Sequence, residues 1–490
     1  MSNQRLITFV QASIGGFIAG LSLSQGISLM MPFAVALLWA SIIRPFSGFL
    51  WGFIAVLVSH RWLLDLHPID WLGIPYLLSL PISISIWLFC GLIAGLLVWI
   101  WSYLANTYRR TFIKGEFLLR EVFYVLIFST LWGLGEVLLS QSPLFWIGIG
   151  TSLLPGDRFL AGFSRWIGSG GLACIQFFLG WWLFKIVINF RRQMKWKKIF
   201  LFGLSVLFFA HIVGWKLLSK DISYKSIPIA MWQTNIPIRE KFSRDNLNRI
   251  PEQVNRSLNK ANELGASILV APEGTLQANQ SLSYPAPISF LVGGFRWVNN
   301  HQRSSLLVFE SGETKFSQAL DKYRLVPLGE WTPSWKGFSF AGLSAVGGVH
   351  PGEPSRKLEW EGPSLAVAIC YEISDGLSIS NAVRGGAEWI LAIANLDPYP
   401  ISLQREFLSL AQLRSIESGR DLISSANTGP TSLINSSGQI NFLADPFQEE
   451  FDLVKLHLRK GKTGYLIVGE SPLIALLIIC LLGEYFTRRN

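Results

Sequence analysis

Seven apolar runs follow one another through the first 218 residues with few polar breaks, and an eighth closes the chain. They fall at 6–24, 27–43, 46–62, 81–103, 117–139, 163–188 and 198–218, with the last at 472–486. A helix needs about 20 apolar residues to cross the hydrocarbon core of a bilayer, and most of these runs approach that length. The pattern predicts a multi-span α-helical membrane domain of seven helices over 1–218. A region over 219–471 separates it from a C-terminal helix and tail over 472–490. The first run would serve as a signal anchor, so no cleaved leader is expected. Only 15% of the 490 residues are charged, against about 25% in an ordinary soluble domain, which excludes a wholly soluble reading.

The positive charges are placed, not scattered. Arg5, Arg44, the group Arg109, Arg110 and Lys114, the group Arg191, Arg192, Lys195, Lys197 and Lys198, and the pair Arg488 and Arg489 all stand between or beside apolar runs. With a cytoplasmic N-terminus every one of these clusters falls on the cytoplasmic side, as the positive-inside rule requires. The C-terminus is then cytoplasmic too, and 219–471 lies on the outer face. A net charge of +10 distributed this way is a topology signal, and nucleic-acid binding is not expected.

The 219–471 region reads differently. Ile227–Trp232 is a strand, and Ile250, Val254, Leu258 and Leu264 recur at helical spacing. Further strands are expected at 266–271, Leu365–Ile369 and 389–394. A helix is expected over 403–420 with Phe407, Leu410, Ala411 and Ile416 on one face, then strands at 422–425 and 431–434. Alternating strands and helices predict an α/β domain built on layered sheets.

Of four cysteines, Cys90, Cys174 and Cys480 sit inside apolar runs, where a small core- or lipid-facing residue is the ordinary reading. Cys370 stands at the tip of the strand Leu365–Ile369, followed by Tyr371 and Glu372. Glu273 ends the run Ile268-Leu-Val-Ala-Pro, and Lys322 precedes Leu325-Val-Pro-Leu-Gly-Glu330. A thiol attacks a carbonyl as its thiolate, so it needs a base and profits from a cation. Glu273 can be the base, and Lys322 can stabilise the anion that forms on the attacked carbonyl. Each residue alone has a bland explanation: a loop carboxylate or cap, a surface lysine, an inert core thiol. Together they form the inventory of an acyl-transfer site. No metal cluster or nucleotide loop is visible, so no cofactor is expected.

Four motifs make the chain resemble the apolipoprotein N-acyltransferases, membrane members of the nitrilase superfamily. They are Gln233-Thr-Asn-Ile-Pro237, Ala271-Pro-Glu273, Asp321-Lys322-Tyr-Arg-Leu-Val-Pro-Leu-Gly-Glu330-Trp-Thr-Pro333 and Ile369-Cys370-Tyr371-Glu372, with Arg414-Ser-Ile-Glu417-Ser-Gly-Arg420 and Asn427-Thr-Gly-Pro-Thr431 trailing. The resemblance implies an extracytoplasmic nitrilase-like αββα sandwich on a helical membrane domain, in a bacterial inner membrane. It implies Cys370 as nucleophile, Glu273 as general base and Lys322 as the oxyanion-stabilising third member. Glu330 matches a second acidic residue of the site, and Tyr371 and Glu372 match residues lining its entrance. The implied donor is a phospholipid, the acceptor a diacylglyceryl apolipoprotein, and the implied intermediate a Cys370 thioester; nothing requires more than a monomer. Three stretches depart from the family pattern: Lys241-Phe242, Asn395-Leu-Asp-Pro-Tyr399 and Ser142-Pro-Leu-Phe-Trp146. Two other readings keep the same residues: a membrane-tethered amidase that uses water, and a non-catalytic lipoprotein-binding protein.

Overall fold

The computed structural model describes residues 2–69, 74–112, 118–219, 223–237, 244–327, 329–330, 334–335, 338–339 and 348–489. Its helical part is built from α1 (Ser2–Gln25), α2 (Met30–Ser41), α3 (Pro45–Ser59), α4 (Tyr76–Phe112), α5 (Leu118–Ser140), α6 (Ser164–Arg191) and α7 (Trp196–Leu218). Five of these are long and apolar enough to cross a membrane: α1, α4, α5, α6 and α7. Side chains such as Leu77, Phe89, Phe202 and Phe209 face outward, as in a bundle whose solvent is lipid. The interior is aromatic. Trp39, Trp101, Trp132 and Phe177 pack with ring centroids between 4.4 and 6.3 Å apart. Indole N–H groups donate to helix carbonyls, Trp39 to Phe177 O at 3.1 Å and Trp101 to Phe128 O at 3.0 Å, so these two buried donors are satisfied. Where α5 crosses α6, a Cβ on Gly133 would stand 2.2 Å from Gly170 O, so the backbones touch only because both residues are glycine.

Two runs fold shorter than expected. The stretches 27–43 and 46–62 give helices of only 12 and 15 residues, about 18 and 22 Å at 1.5 Å per residue. Residues 26–29 turn before α2 starts, Arg44 is extended ahead of Pro45, and α3 ends at Ser59. A 3₁₀ turn, Arg61–Leu66, then carries Trp62 and Leu63 out of the bundle into contact with the α/β part.

That part is a sandwich of two six-stranded sheets. The first runs in the order β12 (Glu450–Leu458), β1 (Lys225–Gln233), β2 (Ile268–Leu276), β3 (Ser289–Val298), β4 (His301–Phe309), β5 (Gln318–Asp321). The second runs β11 (Ile440–Leu443), β10 (Ser432–Ile434), β9 (Leu422–Ala426), β8 (Trp389–Ala394), β7 (Leu365–Ile369), β6 (Lys357–Leu358). Period-two alternation assigns each face. Ile229 and Met231 of β1, Leu365, Val367 and Ile369 of β7, and Trp389, Leu391 and Ile393 of β8 meet between the sheets. Ala230 and Trp232 face outward onto α8 (Arg244–Glu263) through Ile250, Val254 and Leu258. Leu264, expected on the same stripe, follows the last turn of α8 and is exposed.

Ala366, Ala368, Ile390 and Ala392 face α9 (Gly376–Arg384) and α10 (Ile401–Ser418). The layers are therefore helix, sheet, sheet, helix. Helix α10 was expected to have one apolar face, yet its residues are buried almost all round. One side lies on the second sheet, and the other packs Leu413 and Ile416 against Leu153, Leu154, Leu172 and Leu218 of the helical part. Arg324 Nη1 donates to Ser140 O (2.8 Å) and Arg165 Nη2 to Ser436 O (2.9 Å), tying the two parts together. A final helix, α11 (Ser471–Arg489), returns to pack on α5.

Candidate active site

Glu273 is presented by a fault in a strand. Strands β2 and β3 pair in register from Ile268 to Ala271, then the register shifts before Leu276. Such a bulge re-aims side chains, and Gly274 within it takes φ +67°. The bulge presses on β3: a Cβ on Gly293 would stand 2.3 Å from Glu273 Cα.

Lys322 follows the last residue of β5, Asp321, whose carboxylate accepts from Arg296 (2.6 and 2.8 Å), Arg303 (2.8 Å) and Ser305 Oγ (2.7 Å). Burial alone would raise the Asp321 carboxyl, but these donors outweigh it and hold it below the usual carboxylate range. The Lys322 N–H donates to Ser304 O at 2.8 Å, which fixes the direction of its side chain. The ammonium, 1% exposed, then donates to Glu273 Oε1 (2.9 Å) and Glu330 Oε1 (2.8 Å). The other Glu330 oxygen accepts from Val326 N–H (2.9 Å), tying Glu330 back to Val326.

Cys370 follows the last residue of β7 at φ +56°, a left-handed conformation that costs a non-glycine residue about 1–2 kcal/mol. The chain turns sharply there into a 3₁₀ turn, Cys370–Ser374, and leaves the thiol half-buried at the tip of the sheet. Strained elbows of this kind persist where the surroundings over-determine them. Here the determinant is Glu372. Its Oε2 accepts from Ile369 N–H (2.9 Å), its Oε1 from Tyr323 N–H (2.8 Å) and Arg324 N–H (3.0 Å), and Arg356 pairs with it at 3.1 Å. Glu372 is thus not at an entrance: its side chain is folded back under the elbow, clamping the thiol's turn to the lysine's. Tyr371 lies above it, donating to Leu325 O (2.8 Å) with the Arg324 guanidinium 4.9 Å over its ring.

The structure therefore brings Glu273, Lys322, Glu330 and Cys370 into one electrostatic cluster, with Tyr371 and Glu372 as its scaffold. Burial opposes the charge on Lys322, yet Glu273, Glu330 and Cys370 outweigh it and hold the ammonium well above its ordinary range. Burial, Glu273 and Glu330 push the Cys370 thiol up against the opposing pull of Lys322. Burial likewise raises Glu330, with Lys322 opposing and Glu273 adding to the rise. Burial and neighbours thus favour a protonated thiol beside an ammonium, with the carboxyl groups of Glu273 and Glu330 on that ammonium. Such a set can take a proton from the sulfur as it attacks, and stabilise negative charge on a carbonyl oxygen.

Residues that the sequence motifs contained but to which no role was given complete the cluster. Asn395 N–H donates to Glu273 Oε2 (3.2 Å), and Asn395 Oδ1 accepts from Asn427 Nδ2 (2.8 Å). Asn427 Oδ1 in turn accepts from Thr234 Oγ1 (2.6 Å) and Ile236 N–H (2.8 Å). The Gln233–Pro237 and Asn427–Thr431 motifs are thus two ends of one network behind the Glu273 carboxylate; their polar residues at strand ends were the available signal. The departing stretch 395–399 is part of this wall, and its Tyr399 ring meets Trp62 edge-on at 5.3 Å. Trp62 also meets Phe145 at 6.0 Å, and Phe145 stacks on Phe407 at 5.6 Å. Cys370 packs against this apolar group, which leads back into the membrane helices. In Arg414–Arg420, Arg414 pairs with Glu417 at 2.6 Å and Arg420 Nε donates to Ala387 O at 2.9 Å. Lys241, Phe242 and Trp331–Pro333 lie outside the described residues.

No family model matches the chain. Across 483 residues it is 51% identical to an apolipoprotein N-acyltransferase of Prochlorococcus marinus, an alignment covering 98% of this chain and 97% of that one. The chain belongs to the apolipoprotein N-acyltransferases. An apolipoprotein N-acyltransferase of Parasynechococcus marenigrum is 45% identical, over 95% of this chain and 98% of the relative. Among solved structures, a nitrilase-superfamily protein of Saccharomyces cerevisiae aligns with 49% of this chain and 92% of its own, at 14% identity and a TM-score of 0.36. As an apolipoprotein N-acyltransferase the chain is a membrane enzyme that transfers acyl groups to lipoproteins.

Proposed function

We propose that this enzyme moves an acyl chain from a membrane phospholipid to Cys370, and from Cys370 to the N-terminal α-amine of a diacylglyceryl-cysteine. The observation that carries this reading is the strained Cys370 elbow beside a buried Lys322 that bridges Glu273 and Glu330. In the first step Glu273 takes the thiol proton while sulfur attacks the ester carbonyl. A C–S bond forms, Lys322 faces the oxyanion, and the ester C–O bond breaks. The proton passes from Glu273 to the departing lysophospholipid alkoxide. In the second step the α-amine attacks the thioester, the C–S bond breaks, an amide forms, and the amine proton returns through Glu273 to the sulfur. Glu330 keeps Lys322 aimed, and Glu372 and Tyr371 keep the elbow and the lysine turn in register. The apolar contact from Trp62, Phe145 and Tyr399 toward Cys370 suits a substrate that never leaves the bilayer. In this reading both termini are cytoplasmic, the sandwich lies on the outer face of a bacterial inner membrane and the enzyme acts as a monomer; the basic clusters beside the apolar helices support that orientation.

Intact-mass spectrometry tests the reading. Wild-type enzyme incubated with phospholipid should gain one acyl mass, absent from Cys370→Ala, and lose it to a diacylglyceryl peptide with a free α-amine. Discharge by water at the same rate with and without peptide would make the enzyme an amidase. No acyl adduct on Cys370 would sink the thioester altogether.

A further inference from the structure

Arg324 stands two residues beyond Lys322, and its side chain reaches the helical part. The guanidinium is buried and forked: Nη1 donates to Ser140 O at 2.8 Å and Nη2 to Ser142 O. Ser140 is the last residue of α5. The fork thus takes up a carbonyl that the helix leaves unpaired, and sets a positive charge against the negative end of the helix dipole. Ser142 opens the stretch that departs from the family pattern, and its Oγ accepts from Leu144 N–H at 3.3 Å. Phe145 follows, and its ring meets His60 at 6.3 Å, Trp62 at 6.0 Å and Phe407 at 5.6 Å. Phe145 and Cys370 pack against the same buried cluster.

The same guanidinium serves the catalytic side. It lies 4.9 Å over the ring of Tyr371, the residue next to the nucleophile. Its Nη1 also stands 3.8 Å from Asp375, whose carboxylate caps α9 by accepting from Ser378 N–H at 3.2 Å. Sulfur must meet an ester carbonyl at about 3–3.5 Å, and a displacement of about 1 Å can cost 100-fold in rate. The elbow carries the sulfur, the stretch after α5 carries Phe145, and Arg324 is bonded to both. We propose, on the reading that acyl transfer runs through Cys370, that Arg324 is a positioning residue: its guanidinium holds the end of α5 and the Phe145 stretch at a set distance from the Cys370 elbow. The shape of the group matters as well as its charge. A lysine ammonium in its place is a point charge on a flexible stem, without the rigid fork or the flat face.

Full-length enzyme in detergent, given phospholipid and a diacylglyceryl peptide, tests this through two rates: acylation of Cys370 and release of lysophospholipid. Arg324→Lys should lower both maximal rates roughly 10- to 100-fold while the phospholipid KM stays unchanged. Arg324→Ala should fall further, and should recover in part when ethylguanidinium is added. Arg165→Lys is the control, because Arg165 is a second fork between the two parts, donating to Leu217 O and Ser436 O at 2.9 Å each. It should leave both rates unchanged. Wild-type rates in Arg324→Lys, an equal loss in Arg165→Lys, or no recovery of Arg324→Ala with ethylguanidinium would overturn the proposal. Lysophospholipid released by a wild type that carries no Cys370 adduct would sink the thioester alone, since the ratio of variant to wild type is still read from the release.

Discussion

Replacing Lys322 with methionine keeps the length of the side chain and removes its charge. The ammonium makes two charge-assisted bonds, at 2.9 and 2.8 Å, from a position 1% exposed. Breaking a buried ion pair by deleting one partner costs about 3–5 kcal/mol, because the remaining charge has nowhere to go. Here two carboxylates remain, no more than about 6 Å apart since both reached one nitrogen. At an effective dielectric of about 20 their repulsion is about 3 kcal/mol, which favours keeping a proton on one of them. The variant's folded state then holds a proton that its unfolded chain releases, so its stability falls as pH rises and recovers as pH falls. The wild-type lysine gives no such slope. Its folded value lies above its ordinary one, so its contribution is intact throughout the acidic and neutral range and is lost only at strongly alkaline pH. Tryptophan fluorescence in detergent reads unfolding directly, with 20 indoles as reporters. Lys322→Met should melt roughly 10 °C below wild type near pH 8, with the gap about halved near pH 5. Acyl loading of Cys370 should fall by at least about 100-fold. A melting gap that is constant with pH would refute the argument, because the two carboxylates would then not share the lysine's charge.

Three further outcomes follow from the same geometry. Gly293→Ala drives a methyl against the Glu273 backbone, so acyl loading should drop by about 100-fold or more while the sandwich still unfolds cooperatively; unimpaired loading would show that the bulge tolerates displacement. Cys370→Gly relieves the left-handed elbow and should melt above Cys370→Ala by the equivalent of about 1 kcal/mol, both being inactive; equal melting would show that the elbow carries no strain. Glu406 of α10 is fully buried beside the Trp62 indole, and burial pushes its carboxyl well above the ordinary range against the opposing pull of Trp62. A raised carboxyl makes wild-type stability fall as pH rises, so Glu406→Gln should gain on wild type in melting temperature between about pH 5 and pH 8; a gain that shrinks with pH would mean the carboxylate is ionised in the fold.

The strands β7 and β8 appear where their short apolar runs placed them, because both faces of each are buried and the runs end abruptly at polar turns. Glu273, Lys322, Glu330 and Cys370 were legible for a related reason: chemistry-bearing residues at the ends of such runs have few structural excuses. What the residues could not tell was direction. Glu372 follows Tyr371 in a motif that reads as one unit, yet a 3₁₀ turn sends its carboxylate back beneath Ile369. Strands β3 and β4 escaped notice because their pattern is blurred by Gly293, Gly294 and the charged positions Arg296 and Arg303. Those glycines and arginines are there for Glu273 and Asp321, which are long-range partners that no local window contains. The short helices α2 and α3 misled in the opposite sense, since apolar composition continues through residues that turn.

Helix α10 has no solvent face. Half of its circumference belongs to the sandwich and half to the membrane helices, so the boundary between the two parts runs through a single core. A fragment cut at the edges of the α/β region would carry that helix with Leu413, Ile416 and Phe407 bare to water, a surface that aggregates before it catalyses. The sandwich of this enzyme therefore cannot be lifted off its lipid base and kept as a soluble reagent. The bilayer-embedded half is a structural subunit of the catalyst, and any attempt to engineer it must treat the two as one piece.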